Sequence, residues 1–288
     1  MLKTIIKIFI APFAFITKYF KACIFFLILA LIFANFNNEY TIDKNINLAK
    51  IYLNGPIVDS NSIYEQIKKI DTNPNIKGVL LLINSPGGAV GASVEISDLI
   101  KELNLKIPVV AYVQGVMASG SYYGGMHASK IFANRGALIG SIGVIFSSMN
   151  VENLMQKIGI STQGISAGEY KEIGTPMRKW TPQEKEFLNN LIQEEYHMFI
   201  SDVAEARKLS ISDYKKFAEG KIFSAKNAQK LGLIDEVGSM DDAINALKDL
   251  SQVQDPVWLE KNKFDDYLEK FLNSSTQLLL KNFTYQIY

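Results

Sequence analysis

From Leu48 onward, short apolar runs alternate with amphipathic stretches along most of the chain. That is the pattern of βαβ units, and it restricts the fold to the α/β class. The strands it predicts are Ile51–Pro56, Gly78–Asn84, Val109–Gln114 and Lys130–Ala133, each short, β-branched or aromatic, and bounded by Gly, Pro or Asn. Between them, Ser60–Lys69 and Ala89–Leu103 carry apolar residues at helical spacing, the second as Val90, Val94, Ile96, Leu99, Ile100 and Leu103. After Gly136 the pattern changes to the glycine-punctuated ALIGSIGVIF, followed by a helix from about Val151 and a longer one from Pro182 to about Arg207. Thr181 before Pro182, with Glu184 close behind, is a helix start. Residues 232–238 read as a strand and turn leading into a last short helix, Asp241 to Leu250. With 288 residues there is material for a sizeable core. A formal charge of +1 without a long block of like sign gives no electrostatic grip on nucleic acid, and that class is set aside.

The first forty residues differ in kind. Residues 19 to 36, YFKACIFFLILALIFANF, hold one charge, Lys21, near an end where its stem can snorkel. A transmembrane helix is the favoured reading. The fully apolar part, residues 22 to 34, is shorter than the ~20 residues a bilayer core asks for, so a cleavable signal peptide and a buried core helix stand beside it. No small-residue cleavage pattern is obvious after the run, which favours retention. Lys3, Lys7, Lys18 and Lys21 lie before or at the start of the span, and Asn37, Asn38 and Glu39 follow it. This asymmetry predicts a cytoplasmic N-terminus with the bulk of the protein outside. The expected organisation is thus an anchoring segment over 1–40, an α/β domain over 47–250, and an amphipathic tail over 255–288. The single cysteine, Cys23, leaves the redox compartment open.

Three segments carry chemistry. Asn84-Ser85-Pro86-Gly87-Gly88 closes a strand and opens a helix, where bared backbone N–H groups could meet a substrate carbonyl, although Pro-Gly-Gly is also an ordinary turn former. Gly115-Val116-Met117-Ala118-Ser119-Gly120-Ser121-Tyr122-Tyr123 places a serine at a second strand-to-helix turn. There Ser119 is a nucleophile with the next N–H aimed at an oxyanion, or simply a helix cap, and Ser121 competes with it. Neither of the two histidines fits as its base: His127 is about 12 Å farther along the proposed helix, and His197 lies in the polar helical segment EEYHMF. Ser166 to Gly174 supplies a lysine, Lys171. A lysine works as a base only where burial pulls its amine well below the usual ~10.4, and composition alone, with 30 basic residues, does not single this one out.

NSPGG, GVMASGSYYGG, GSIGV and SAGEYKEIGTP, in this order, together resemble the signal peptide peptidase A family of serine–lysine proteases, as does KIFSAKNAQKLGLIDEVG. The resemblance spans residues 48 to 250. It implies Ser119 as nucleophile, Lys171 as general base, an oxyanion hole at the N–H groups of Gly120 and of Gly87 or Gly88, and Ser141 as a partner orienting the lysine. It also implies a fold similar to the ClpP and crotonase superfamily, ring- or dome-shaped homo-oligomers, and no metal or cofactor. Its substrates would be peptides, namely signal peptides already cleaved from their proteins, at the extracytoplasmic face of a bacterial inner membrane. Val144 stands where ClpP keeps a histidine, which fits a dyad rather than a triad. Ser121 stands where many family members have glycine. The rival expectations are a catalytically silent membrane scaffold of the same fold and a crotonase-like acyl-CoA enzyme.

Overall fold

Strand β2 (Gly78–Ser85) follows β1 (Leu48–Asn54) and carries Val79-Leu80-Leu81-Leu82-Ile83, all buried. A run with no polar alternation requires cover on both faces of its sheet. The computed structural model, which describes residues 18–36 and 45–259, supplies that cover. β2 lies between β1 and β3 (Val109–Ala118), parallel to both, and β3 pairs in parallel with β4 (Lys130–Ala133). After β5 (Leu138–Gly140) and β6 (Ile222–Ser224), β7 (Glu236–Val237) adds to β4, giving the order β1-β2-β3-β4-β7. Among the described residues the sheet has seven strands, and β5 and β6 branch from β3.

Alternate residues of the strands serve opposite layers. Ile51, Val79, Leu81, Ile83, Val109 and Ala111 meet Ile63 and Ile67 of α2 (Asn61–Asp71) and Ile96 and Ile100 of α3 (Val90–Lys106), in one core with Phe199 and Val203. Leu80, Leu82, Val110, Tyr112 and Phe132 meet Ala243 and Leu247 of the helix Met240–Ser251 on the other face. Each such aliphatic or aromatic side chain, fully buried, contributes about 1.5–3 kcal/mol. Between α3 and that helix along the chain come α4 (Gly120–Gly125), α5 (Glu152–Lys157) and α6 (Pro182–Ala206), then α7 (Tyr214–Phe217) and α8 (Ala225–Lys230); Met240–Ser251 is α9.

β3 runs four residues beyond the end its pattern predicts. Opposite β2 its register slips: Ile83 faces Val113, yet Ser85 faces Met117. The Asn84 side chain fills the gap, its Oδ1 accepting the Val116 N–H at 3.2 Å, and a Cβ on Gly115 would sit 2.9 Å from that oxygen. A bulge of this kind breaks the period-2 signal. Past it, Val116, Met117 and Ala118 pair with Leu138, Ile139 and Gly140 of β5, and β3 thereby forks toward a second partner.

The chain divides into two compact units. In the first unit, α1 (Phe20–Phe36) is 17 residues long, about 25 Å at 1.5 Å per residue, and Lys21 is its only charge. A helix therefore forms where the transmembrane span was expected. Among the described residues, however, no helix is long and apolar enough to cross a membrane. Of the expected tail, residues 255–259 are described. The Val257 carbonyl accepts the Asn47 N–H at 2.9 Å, the Leu259 N–H donates to Leu48 at 2.8 Å, and the Lys50 ammonium lies 4.6 Å from the Trp258 ring. This strip covers the edge of β1 that would otherwise be open to pairing with another chain. The remainder, 260–288, lies outside the described residues.

Candidate active site

Ser119 occupies the single residue between β3 and α4, with φ 53° and ψ −125°. A side chain rarely tolerates that backbone, at a cost of order 1–3 kcal/mol, and the surrounding bonds hold it there. The Ser119 N–H donates to the Gly140 carbonyl at 2.7 Å, and its carbonyl accepts from the Tyr123 N–H at 3.1 Å. Its hydroxyl makes no capping bond to α4. The capping role, a real alternative on sequence alone, is thus unfilled, and Oγ is left facing a cavity.

Ser121 is the opposite case. It is fully buried, its Oγ accepts the Ala118 N–H at 2.8 Å, and its proton points toward the Ser85 carbonyl at 2.6 Å and that of Ala118 at 2.9 Å. It ties the turn to the end of β2. Burial leaves it no approach for attack, and Ser119 is the nucleophile candidate that the structure exposes.

The NSPGG turn lies directly against this one. An added Cβ on Gly87 would meet the Gly120 nitrogen at 2.5 Å, and one on Gly120 would lie 3.2 Å from the Gly88 nitrogen and collide with Ser93 Oγ. Gly88 leaves no room for a side chain beside the Ile57 carbonyl. Only glycine lets the two turns approach so closely. The Gly87 N–H is committed to Ser85 Oγ at 3.2 Å, and Gly87 has φ 92°. Gly88 and Gly120, by contrast, line the cavity with Ser119. Of the three glycines, Gly88 and Gly120 are therefore the ones beside Ser119 in the cavity wall.

Apolar side chains close the cavity: Val90 of α3, Tyr123 of α4, Val144, and Met198 and Phe199 of α6. Val144 is among the residues that line the Ser119 cavity. Neither histidine is. His127 follows the end of α4, and its carbonyl accepts from Asn104 Nδ2 at 3.0 Å; His197 is exposed on α6. Ser141 has φ 49° and donates its N–H to the Lys221 carbonyl at 2.7 Å, directly after the Gly140 carbonyl that holds Ser119.

Lys171 is not among the residues that line this cavity. It is exposed, in a turn where its N–H donates to Gly168 at 3.1 Å, and its neighbour Tyr170 stacks on Phe187 with ring centroids 4.9 Å apart. Phe187 lies 11 residues before Met198 on α6, about 16 Å along its axis. Within one chain, the Ser119 cavity is thus lined without Lys171. The arm that carries it, residues 144–181, leaves β5 and returns to α6 by way of α5, none of whose residues is buried. Its apolar side chains face solvent, with Ile145 88 % and Met149 80 % exposed.

Sequence reasoning did not single out Ser93, Gly143 or the α6 residues Glu195, Met198 and Phe199 as lining the site. Their helical spacing was legible. That this face of α6 meets a turn some eighty residues earlier depends on tertiary packing alone.

Comparison with known proteins gives the same direction as the geometry. The chain is 42% identical over 235 residues to a protein of Methanocaldococcus jannaschii named as a putative protease, covering 75% of this chain and 76% of that one. It is 31% identical over 246 residues to an Enterococcus faecium protein named as a putative signal peptide peptidase SppA, covering 80% and 72%. A ClpP1 variant from Listeria monocytogenes overlays with a TM-score of 0.48 at 19% identity, covering 68% of this chain and 94% of that one. The model of Peptidase family S49 matches residues 101–254, more than half of the chain. With a match to the family model over more than half of its length and relatives of this identity and coverage, the chain belongs to Peptidase family S49.

Proposed function

We propose that the chain is a membrane-anchored serine endopeptidase that degrades cleaved signal peptides with a Ser119–Lys171 dyad. The observation that carries this reading is the Ser119 hydroxyl, held on a strained turn, unspent on capping, beside the N–H groups of Gly88 and Gly120. Ser119 Oγ attacks the peptide carbonyl while the neutral amine of Lys171 takes its proton. The oxyanion that forms receives two N–H donors, an arrangement that contributes most when it is preorganised and dry. Lysine then returns the proton to the leaving amine, and water, activated by the same amine, releases the acyl group from serine.

The exposed position of Lys171 in one chain makes a second copy part of this reading. An arm whose apolar residues face solvent is a surface that association would cover. Packing a neighbour's arm against the Ser119 cavity would bring a lysine to the serine and remove it from water, which a neutral amine requires. The apolar cavity suits apolar substrates, and α1, set in a longer apolar N-terminal segment, is the proposed anchor with the catalytic unit on the extracytoplasmic side.

The test is mass mapping of the full-length protein after reaction with a serine-directed covalent electrophile. One adduct on the Ser119 peptide is expected, absent in Ser119→Ala and strongly reduced in Lys171→Ala. An adduct elsewhere, or peptide cleavage by Lys171→Ala at the wild-type rate, rules the dyad out.

A further inference from the structure

Behind the Ser119 cavity lies a second one, of about 110 Å³, enclosed by α3, α6 and the turn after α4. The two share Tyr123 and Met198 in their walls. They follow one another along both helices: on α6, Glu195 and Met198 line the first, and Met198, Asp202 and Glu205 the second. On α3, Val90 and Ser93 give way to Val94, Ser97, Asp98 and Lys101. These spacings of three and four keep each set on one helix face.

The character of the lining changes between the two. The first is largely apolar, whereas the second carries three carboxylates, Asp98, Asp202 and Glu205, against one ammonium, Lys101. Burial, reinforced by the charge of Lys101, lowers the His127 pKa from its ordinary 6.5, so the imidazole adds no positive charge at neutral pH. Asp202 accepts the Tyr123 hydroxyl, which leaves its other oxygen and the phenol's lone pairs as acceptors. Ser97 is 1 % exposed, and its Oγ has no hydrogen-bond partner among the described residues. A buried hydroxyl left unpaired costs about 1–3 kcal/mol, so an unpaired one in a cavity wall indicates something that fills the space. A bare metal ion does not fit this role: among the described residues no three His, Cys, Asp or Glu side chains are placed to hold one.

We propose that this cavity is a subsite for a basic side chain, lysine or arginine, of the peptide whose backbone lies at Ser119. The proposal rests on the peptidase reading for the identity of the ligand. Met198 and Asp202 are one turn apart, about 6 Å along α6, so a long side chain leaving the Ser119 cavity reaches the carboxylate. Its charged end meets Asp202 and the Ser97 hydroxyl, with Glu205 and Asp98 at the rim. An apolar groove that opens into an acidic cavity matches a peptide with an apolar run and a basic flank, which is the composition of a signal peptide.

The experiment measures binding apart from catalysis. Full-length Ser119→Ala protein is titrated with two fluorescent apolar peptides that differ only in one residue, lysine or its uncharged isostere norleucine, scanned along the peptide. At one position the lysine peptide is expected to bind about tenfold tighter, as a charge-assisted contact does. That preference should fall to within about twofold in Asp202→Asn and shrink in Glu205→Gln, which lies on the exposed rim and does not risk the fold. Equal binding of the two peptides at every position, or a preference that survives both substitutions, overturns the subsite. Cleavage of the same peptides by the unsubstituted protein is scored separately. A lysine preference in binding with no cleavage would sink the peptidase reading and leave the subsite standing; cleavage without preference would do the reverse.

Discussion

At the scale of single residues, the site is built from one strained serine and the small residues that tolerate its position. Ser119 holds φ 53° with ψ −125°, a region open essentially to glycine. Ser119→Gly is therefore expected to remove activity and yet raise stability by about 1 kcal/mol, the strain relieved less the entropy glycine loses on folding. In a domain of this size that is a rise in Tm of about 2–4 °C, read by calorimetry, and Ser119→Ala should show no such rise. If Ser119→Gly and Ser119→Ala melt together, the turn is not strained by its side chain. Ser121 predicts the opposite sign. Ser121→Ala leaves the buried Ala118 N–H without its acceptor and should cost about 1–3 kcal/mol. Because the tie to Ser85 is lost as well, kcat on a peptide substrate should fall more than KM rises.

At the scale of elements, α6 connects the arm to the cavity, and its start is heavily built. Thr181 Oγ1 accepts the Glu184 N–H at 3.1 Å, and Glu184 reaches back to the Thr181 N–H at 2.8 Å. Arg178 clamps the same carboxylate with two bonds, of 2.8 and 2.7 Å. The Arg178 guanidinium, with help from the Thr181 N–H, holds the Glu184 carboxyl from its ordinary 4.5 down to about 2. A folded-state pKa below the unfolded one gives stability that is fully present above the unfolded value and lost as pH falls through the folded one. Hence wild type should melt above Glu184→Gln at pH 6, and the gap should close between about pH 4.5 and 2. A gap unchanged at pH 2.5 would mean that the clamp contributes through shape and not charge. Since Phe187, which seats Tyr170 and hence Lys171, is three residues on, Arg178→Met should also lower activity at neutral pH.

The whole molecule poses the question of assembly. If Lys171 serves the Ser119 of another copy, neither Ser119→Ala nor Lys171→Ala is active alone, but a mixture allowed to exchange subunits regains activity. Up to about a quarter of the sites in a random mixture pair an intact serine with an intact lysine, the product of two halves. A mixture that stays inactive, with exchange verified by mass, would place serine and lysine in the same chain. Charging the arm with Ile145→Asp should split the assembly in analytical ultracentrifugation, since that side chain is 88 % exposed in the single chain.

What the sequence determined by itself is local. The continuous apolar run of β2 required a sheet covered on both faces, the spacing on α3 marked Ile96, Ile100 and Leu103 of its buried face, and Thr181, Pro182 and Glu184 marked the start of α6. These are properties of neighbouring residues, and a few turns of chain suffice to express them. The NSPGG and ASGSYY turns were legible too, but not their division of labour. That Ser121 is tied to Ser85, that Gly88 and Gly120 come to line one cavity, and that β3 runs past a bulge to Ala118 follow from partners about thirty residues or more away. Only the tertiary structure decided these, along with the acidic cavity between α3 and α6 and the exposure of Lys171. Hydrogen-bond commitment and burial are set by what packs against a residue, and a sequence pattern states only what that residue could accept.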